Sequence, residues 1–258
     1  VSAAIADLLT AALAREIATS GVRVFAVTSP AGVAAALAAR ELGAPEMALM
    51  VGFTALDGAP IPSLTLGEGG LLTQGPVFRD DPGDVFIGLS RGRLGVVATP
   101  AQLDSDGRTN LSGIGEPGHP KIALPGARGL PEHRSPARVW YLFPGHGPRQ
   151  LVGRVDVVCG AVPPPGALRR LFTPAGCFEL GPSGWRALWL TAGGADLVAG
   201  APAFGITLTG DEAVIEEPDG EALAAVERAD PFGVRRLEFA SGADAGRLWR
   251  EAAEREAA

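Results

Sequence analysis

The sequence predicts an α/β fold, an open mainly parallel sheet flanked by helices, and reads as a single domain over residues 1–258. Three observations predict it. Helix and strand signals alternate through the first 60 residues. The β-α-β succession they form requires a crossover and so pairs its strands in parallel. No clean linker and no internal repeat divides the chain.

Taken in order, Ile5, Leu8, Leu9, Leu13 and Ile17 recur at helical spacing and predict an amphipathic helix from Ala3 to Thr19. Gly21 closes it, and Val22 to Val27 is a short apolar strand. Ser29-Pro30 is a helix start, with serine as N-cap and proline at the first helical position. That helix runs from Ala31 to Leu42 and stops at Gly43, and Met47 to Val51 is the next strand. Asp84 to Leu89 reads as a short helix feeding a strand over Leu94–Ala98. Val139 to Phe143 and Val152 to Val158 read as further strands, and Ala243 to Ala257 as a charged surface helix. Gly/Pro-rich connections fill 58–76, 115–136 and 160–166, lengths that are usually functional or covered by a partner.

Composition narrows the function. The net charge is −7 and only Lys121 is a lysine, so no basic stripe meets a nucleic acid or an anionic membrane. Any phosphate recognition falls to arginine or to backbone amides. Cys159 and Cys177 have neither CxxC nor Cys/His spacing and read as buried thiols, not as a disulfide or a metal site. No apolar stretch reaches membrane-spanning length, and Asp7, Arg15 and Glu16 break the apolar positions of the first segment, so the expectation is a cytoplasmic protein. His119, His133 and His146 lie in loops without ligand spacing and read as packing or surface residues. The sequence has no P-loop, and no GxGxxG stands between a strand and a helix.

What remains is a polar turn. The apolar run Leu94–Ala98 leads into Gln102-Leu103-Asp104-Ser105-Asp106-Gly107, and polarity then alternates to Ile114. Asp104 and Gly107 suit a hairpin turn, since aspartate bonds nearby backbone and glycine accepts positive φ. Gln102 and Asn110 are open to two readings, as turn stabilisers or as amide donors to a ligand.

The pattern Gln102-Leu103-Asp104-x-x-Gly107-x-x-Asn110-x-Ser112-x-x-Gly115, then His119-Pro120-Lys121, then Gly126-Ala127-Arg128-Gly129, resembles the β subunit of the family I coenzyme A transferases, glutaconate coenzyme A transferase in particular. The resemblance runs from about residue 10 to 190 and includes Val155-Asp156-Val157-Val158. It implies the CoA-transferase (NagB/RpiA-like) fold, with the turn near an acyl-CoA cleft at the carboxyl ends of strands. By that resemblance Gln102 and Asn110 would face the thioester or pantetheine, and Gly126 and Gly129 would let backbone approach the ligand. Arg128 would pair with a substrate carboxylate. Coenzyme A enters as part of the substrate, with no other cofactor and no metal.

The family's β-chain nucleophile, a glutamate just after the strand matching Met47–Val51, is replaced here by Gly52, and the next carboxylate is Asp57. Glu68 is another carboxylate in a loop. A second branch also lacks that glutamate: two-subunit hydrolases that open rings of steroid-derived CoA thioesters, with a loop close to GxRGxP. This chain has Gly126-Ala127-Arg128-Gly129-Leu130-Pro131. In that branch the decisive glutamate belongs to the α subunit. The expectation is therefore a β-like subunit acting hydrolytically on an acyl-CoA with an α-type partner, as an α2β2 heterotetramer. The alternatives are a transferase using Asp57 or Glu68, or a non-catalytic subunit that binds CoA esters or scaffolds a partner. Apolar runs such as AVPPPGALRRLF and LWLTAGGADLVAGAPAFGI fit either a partner's surface or the chain's own core.

Overall fold

The amino-terminal β-α-β succession folds as its local signals dictate, in a computed structural model that describes residues 3–26, 29–43, 49–51, 54–56, 76–79, 82–126 and 138–257. The chain divides into two compact units, one of residues 1–85, 94–98 and 217–258, the other of residues 86–93 and 99–216.

In the first unit, α1 (Ala3–Ala18) buries Leu8, Leu9, Leu13 and Ile17. Strand β1 (Arg23–Ala26) leads to α2 (Pro30–Glu41), which is buried from Ala31 through Ala39. A helix apolar on every side belongs in a core, and α2 packs on α1, on β1 and on the helix Gly220–Ala229. Its alanines allow that crowding, and at Gly32 a Cβ would fall 2.7 Å from Val97 Cγ1. Ser29 caps α2 by accepting the Gly32 N–H at 2.9 Å, and Glu238 accepts the Ala31 N–H at 3.0 Å. Strands β2 (Leu49–Val51), β3 (Thr54–Leu56), β4 (Pro76–Arg79) and β5 (Leu94–Ala98) complete the unit's sheet, in the order β5-β1-β2-β3-β4. Pairings β5-β1 and β1-β2 are parallel, and β2-β3 and β3-β4 antiparallel. Helix α3 (Pro82–Ser90) feeds β5 as predicted. In the carboxyl-terminal part, buried Arg235 pairs with Asp7 at 2.8 Å and with Asp230 at 3.0 Å, tying that segment to α1. The last helix, Gly242–Ala257, buries only Ala252 among its described side chains, as its charge pattern predicts.

The second unit has three sheets. The hairpin β6 (Gln102–Asp104) and β7 (Thr109–Asn110) pairs with β11 (Leu151–Val152). Strands β8 (Gly113–Glu116) and β9 (His119–Ala123) form a second hairpin, so part of the predicted 115–136 loop is ordered strand. The largest sheet follows β10 (Val139–Leu142), β12 (Arg169–Thr173), β13 (Gly176–Gly181), β14 (Gly184–Leu190) and β15 (Ala213–Val214) in that lateral order. β10-β12 is parallel, and β12-β13-β14 antiparallel. The core holds Trp140, Tyr141, Phe172, Phe178 and Trp185, with Phe204 stacked on Trp185 at 5.5 Å. The run LWLTAGGADLVAGAPAFGI thus packs partly on its own chain through Leu190 and Phe204, while Leu197 stays exposed.

One predicted strand is corrected. Val152–Val158 pairs only through Leu151 and Val152. Beyond that point side chains replace the ladder: the Val155 N–H goes to Asp104 Oδ2 at 3.4 Å, and the Asp156 N–H to Gln102 Oε1 at 3.0 Å.

Candidate functional site

The polar turn has two ends with different chemistry. At its tip, Asp104 is fully buried and its Oδ1 accepts the N–H groups of Asp106 at 3.0 Å and Arg108 at 2.9 Å. Trp185 Nε1 donates to the Asp104 carbonyl at 3.2 Å. Gly107 sits at φ +82°, and a Cβ there would lie 2.6 Å from Leu180 Cδ2. Leu180 and Trp185 are opposite each other beside the β13–β14 turn, at the amino end of β12. A cavity of about 720 Å³ opens at this end, with Ser105, Asp106, Val162, Pro163, Leu180 and Gly184 in its wall. The tip therefore holds the turn, and Asp104 and Gly107 account for it without a ligand.

The base of the hairpin brings Gln102 and Asn110 opposite each other across β6 and β7. Asn110 Nδ2 donates to Gln102 Oε1 and to the Gly113 carbonyl, each at 2.7 Å. Its Oδ1 accepts the Ser112 N–H at 2.9 Å. Both N–H groups of this amide are spent within the chain, as burial of a polar group requires. Gln102 Nε2 donates to Asp156 Oδ2 at 3.2 Å, and the same oxygen accepts the Gly115 N–H at 2.8 Å. Two residues read as ligand donors thus join into a relay that ends on an exposed carboxylate. The Leu103 N–H bonds the Gln150 carbonyl at 2.8 Å, at the edge of the β6–β11 pairing.

Two further side chains stand near. Cys159 is half-buried, not buried as expected, and its Sγ accepts the Leu111 N–H at 3.2 Å and lies 3.0 Å from Ser112 Oγ. Cys177 is buried. His146, in the loop after β10, is buried and not a surface residue; its Nδ1 lies 2.8 Å from Thr173 Oγ1. Thr173 Oγ1 also accepts the Ala175 N–H at 3.1 Å. Nε2 has no partner among the described residues. Burial pushes this histidine down to about 4, which keeps the ring neutral.

Gly126 sits at φ +103° with open space where a Cβ would stand. Its N–H donates to the Leu111 carbonyl at 3.0 Å, which places it beside the same hairpin. Gly52, Asp57, Glu68, Arg128 and Gly129 lie outside the described residues. Among the described residues no group of His, Cys, Asp and Glu could hold a metal ion, and no helix is long and apolar enough to cross a membrane. Sequence reading missed Asp156 as the end of this relay; its valine neighbours at 155, 157 and 158 hid it inside an apparent strand.

Comparison with known proteins gives concordant neighbours. No family model matches the chain. The chain is 30% identical over 213 residues to the cholesterol ring-cleaving hydrolase IpdB subunit of Rhodococcus jostii (strain RHA1), covering 71% of this chain and 84% of that one. The structure is similar to the decarboxylase AibA/AibB, with TM-score 0.80 and 29% identity over 93% of this chain and 100% of that one. Against Rhodococcus jostii RHA1 IpdAB the TM-score is 0.77 at 25% identity, over 93% of this chain and 99% of that one. Glutaconate coenzyme A-transferase from Acidaminococcus fermentans shares the fold, with TM-score 0.69 at 17% identity over 91% and 98% of the two chains.

Proposed function

The chain belongs to the coenzyme A transferase family as a β-like subunit, and on that premise we propose that it cleaves a carbon–carbon bond of an acyl-CoA hydrolytically, together with an α-type partner. It is a subunit of a heteromeric enzyme that acts on CoA thioesters. One observation carries the hydrolytic reading: the position of the family's glutamate nucleophile holds Gly52, and no carboxylate stands between Met47 and Leu56. Without that carboxylate the chain cannot form the acyl anhydride and the enzyme-bound thioester on which transfer depends. A base on the α-type partner would activate water instead, and the thioester carbonyl would take up charge as the carbon–carbon bond breaks. The assembly is an α2β2 heterotetramer in the cytoplasm.

In this reading Gln102 and Asn110 order the wall of the site through Asp156 and the 111–115 backbone. Gly126 and Gly129 admit the ligand to backbone, and Arg128 pairs with a carboxylate of the acyl group. Transfer through Asp57 or Glu68, and a purely binding or scaffolding role, are the readings it competes with. Similarity to a decarboxylase supports a second, non-hydrolytic reading, in which the carbon–carbon bond breaks with loss of carbon dioxide.

The test is the complex of this chain with its α-type partner, incubated with acyl-CoAs that carry a β-carbonyl, a ring or a terminal carboxylate. Hydrolytically cleaved product with no CoA-sized adduct on this chain supports the reading. An adduct on this chain, abolished by Asp57→Ala or Glu68→Ala, returns it to the transferases. Released carbon dioxide without water uptake selects the decarboxylase variant.

A further inference from the structure

The cavity of about 720 Å³ at the tip of the polar turn plays no part in the reading above, since Gln102, Asn110 and Gly126 are absent from its wall. Three segments build it: the turn tip at Ser105 and Asp106, the run 162–168, and the turn between β13 and β14. Its frame is stiff. Pro163, Pro164, Pro165 and Pro182 stand in the wall, and each fixes its own φ. The tip is pinned from behind, where Trp185 Nε1 donates to the Asp104 carbonyl at 3.2 Å. A pocket shaped before its ligand arrives is spared most of the ordering cost of binding.

The polar side chains of the wall are already engaged. Ser105 Oγ donates to the Gly153 carbonyl at 3.0 Å. Asp106 pairs with Arg108 at 2.6 Å, and Glu179 pairs with both Arg170 and Arg186. Asp106 and Glu179 are the only charged residues in the wall, so a charged ligand would meet charges that have partners and would lose water without compensation. The rest is apolar, from Val162, Leu168, Leu180 and the prolines. Small-molecule sites are mostly apolar clefts of roughly 300–1,000 Å³, and this one falls among them. We propose that the cavity is a binding site for an uncharged, mainly apolar small molecule, a second site beside the one that handles the CoA thioester. The phosphates of coenzyme A are excluded from it by the same chemistry. The proposal does not depend on the function proposed above.

The experiment titrates the complex with the α-type partner, using two fluorescent probes of one body. N-phenylnaphthylamine is uncharged, and anilinonaphthalenesulfonate adds a sulfonate to it. The uncharged probe should bind saturably, once per copy of this chain, and roughly tenfold more tightly than the sulfonate. Val162 is a wall residue at 45% exposure, whereas Val158, at 53%, lies outside the wall. Val162→Asp and Val158→Asp therefore place the same new charge inside and outside the site. The first should weaken the uncharged probe roughly tenfold and the second leave it unchanged. Hydrogen exchange of the wild-type complex gives a reading that needs no variant: the probe should protect amides within 166–168 and 179–181. Binding to this chain alone that vanishes in the complex overturns the proposal and makes the cavity a partner contact. Absence of saturable binding, equal affinity for the two probes, an equal response of the two variants, or protection confined to other segments overturns it as well.

Discussion

At the scale of single residues, the site is an economy of amides. Asn110 serves Gln102, the Gly113 carbonyl and the Ser112 N–H at once, so Asn110→Ala strips partners from two buried groups and one half-buried one. The expected loss is about 2–4 kcal/mol, more than a typical single hydrogen bond, because several groups are orphaned together. A chemical-denaturation midpoint checks it, and a loss below about 1 kcal/mol would show that the relay is slack. His146 gives a pH dependence with a definite sign. Its folded value of about 4 lies below the ordinary 6.5, since burial disfavours the charged ring. The unfolded chain therefore takes up a proton before the folded one does. This contribution to stability is intact above pH 6.5, shrinks as pH falls towards about 4, and is lost below that. The loss is at most about 3 kcal/mol. Against the wild type, His146→Gln should flatten the fall in stability between those limits. An identical acid limb in both proteins would remove His146 as its source.

At the scale of elements, what the sequence made legible was what depends on neighbours in the chain. Helix α2 is announced by Ser29 and Pro30, and the structure draws its first turn from the same residues, Ser29 accepting the Gly32 N–H. Strand β5 and the last helix follow from apolar continuity and charge pattern in the same way. The hairpin β8–β9 was not legible, because β9 is exposed at all five positions and carries Pro120, so it shows no alternation of apolar and polar residues. Nor was Asp156, whose partners Gln102 and Gly115 lie 54 and 41 residues away. Side-chain relays of that reach leave no periodicity to read. The local signals can themselves be tested. Ser29→Ala removes one cap acceptor and should cost about 1 kcal/mol. Gly32→Ala, although alanine is the better helix former, should cost about 1–3 kcal/mol, because its Cβ meets Val97 Cγ1 at 2.7 Å. If Gly32→Ala raised the melting temperature instead, helix propensity would outweigh the closeness of α2 to β5.

At the scale of the whole molecule, the question is what a β-like subunit contributes once its glutamate is gone. Gly52 supplies no nucleophile, yet the chain still builds a buried relay to Asp156 and keeps the residues of the turn. It also leaves apolar side chains exposed, among them Val158 at 53%, Val162 at 45% and Leu197 at 40%. The likeness to IpdB and to the two-chain IpdAB fits a chain that works in a complex. The purified chain alone should therefore bind or turn over no acyl-CoA at a useful rate, and adding the α-type partner should restore activity in proportion to the complex formed. Titrating partner into a fixed amount of this chain, with turnover and sedimentation read together, checks both statements. A break at one partner per chain, in a particle of two each, is the expected result. Full turnover by this chain without a partner would place the missing carboxylate within it, at Asp57 or Glu68, and would reverse the assignment of the base.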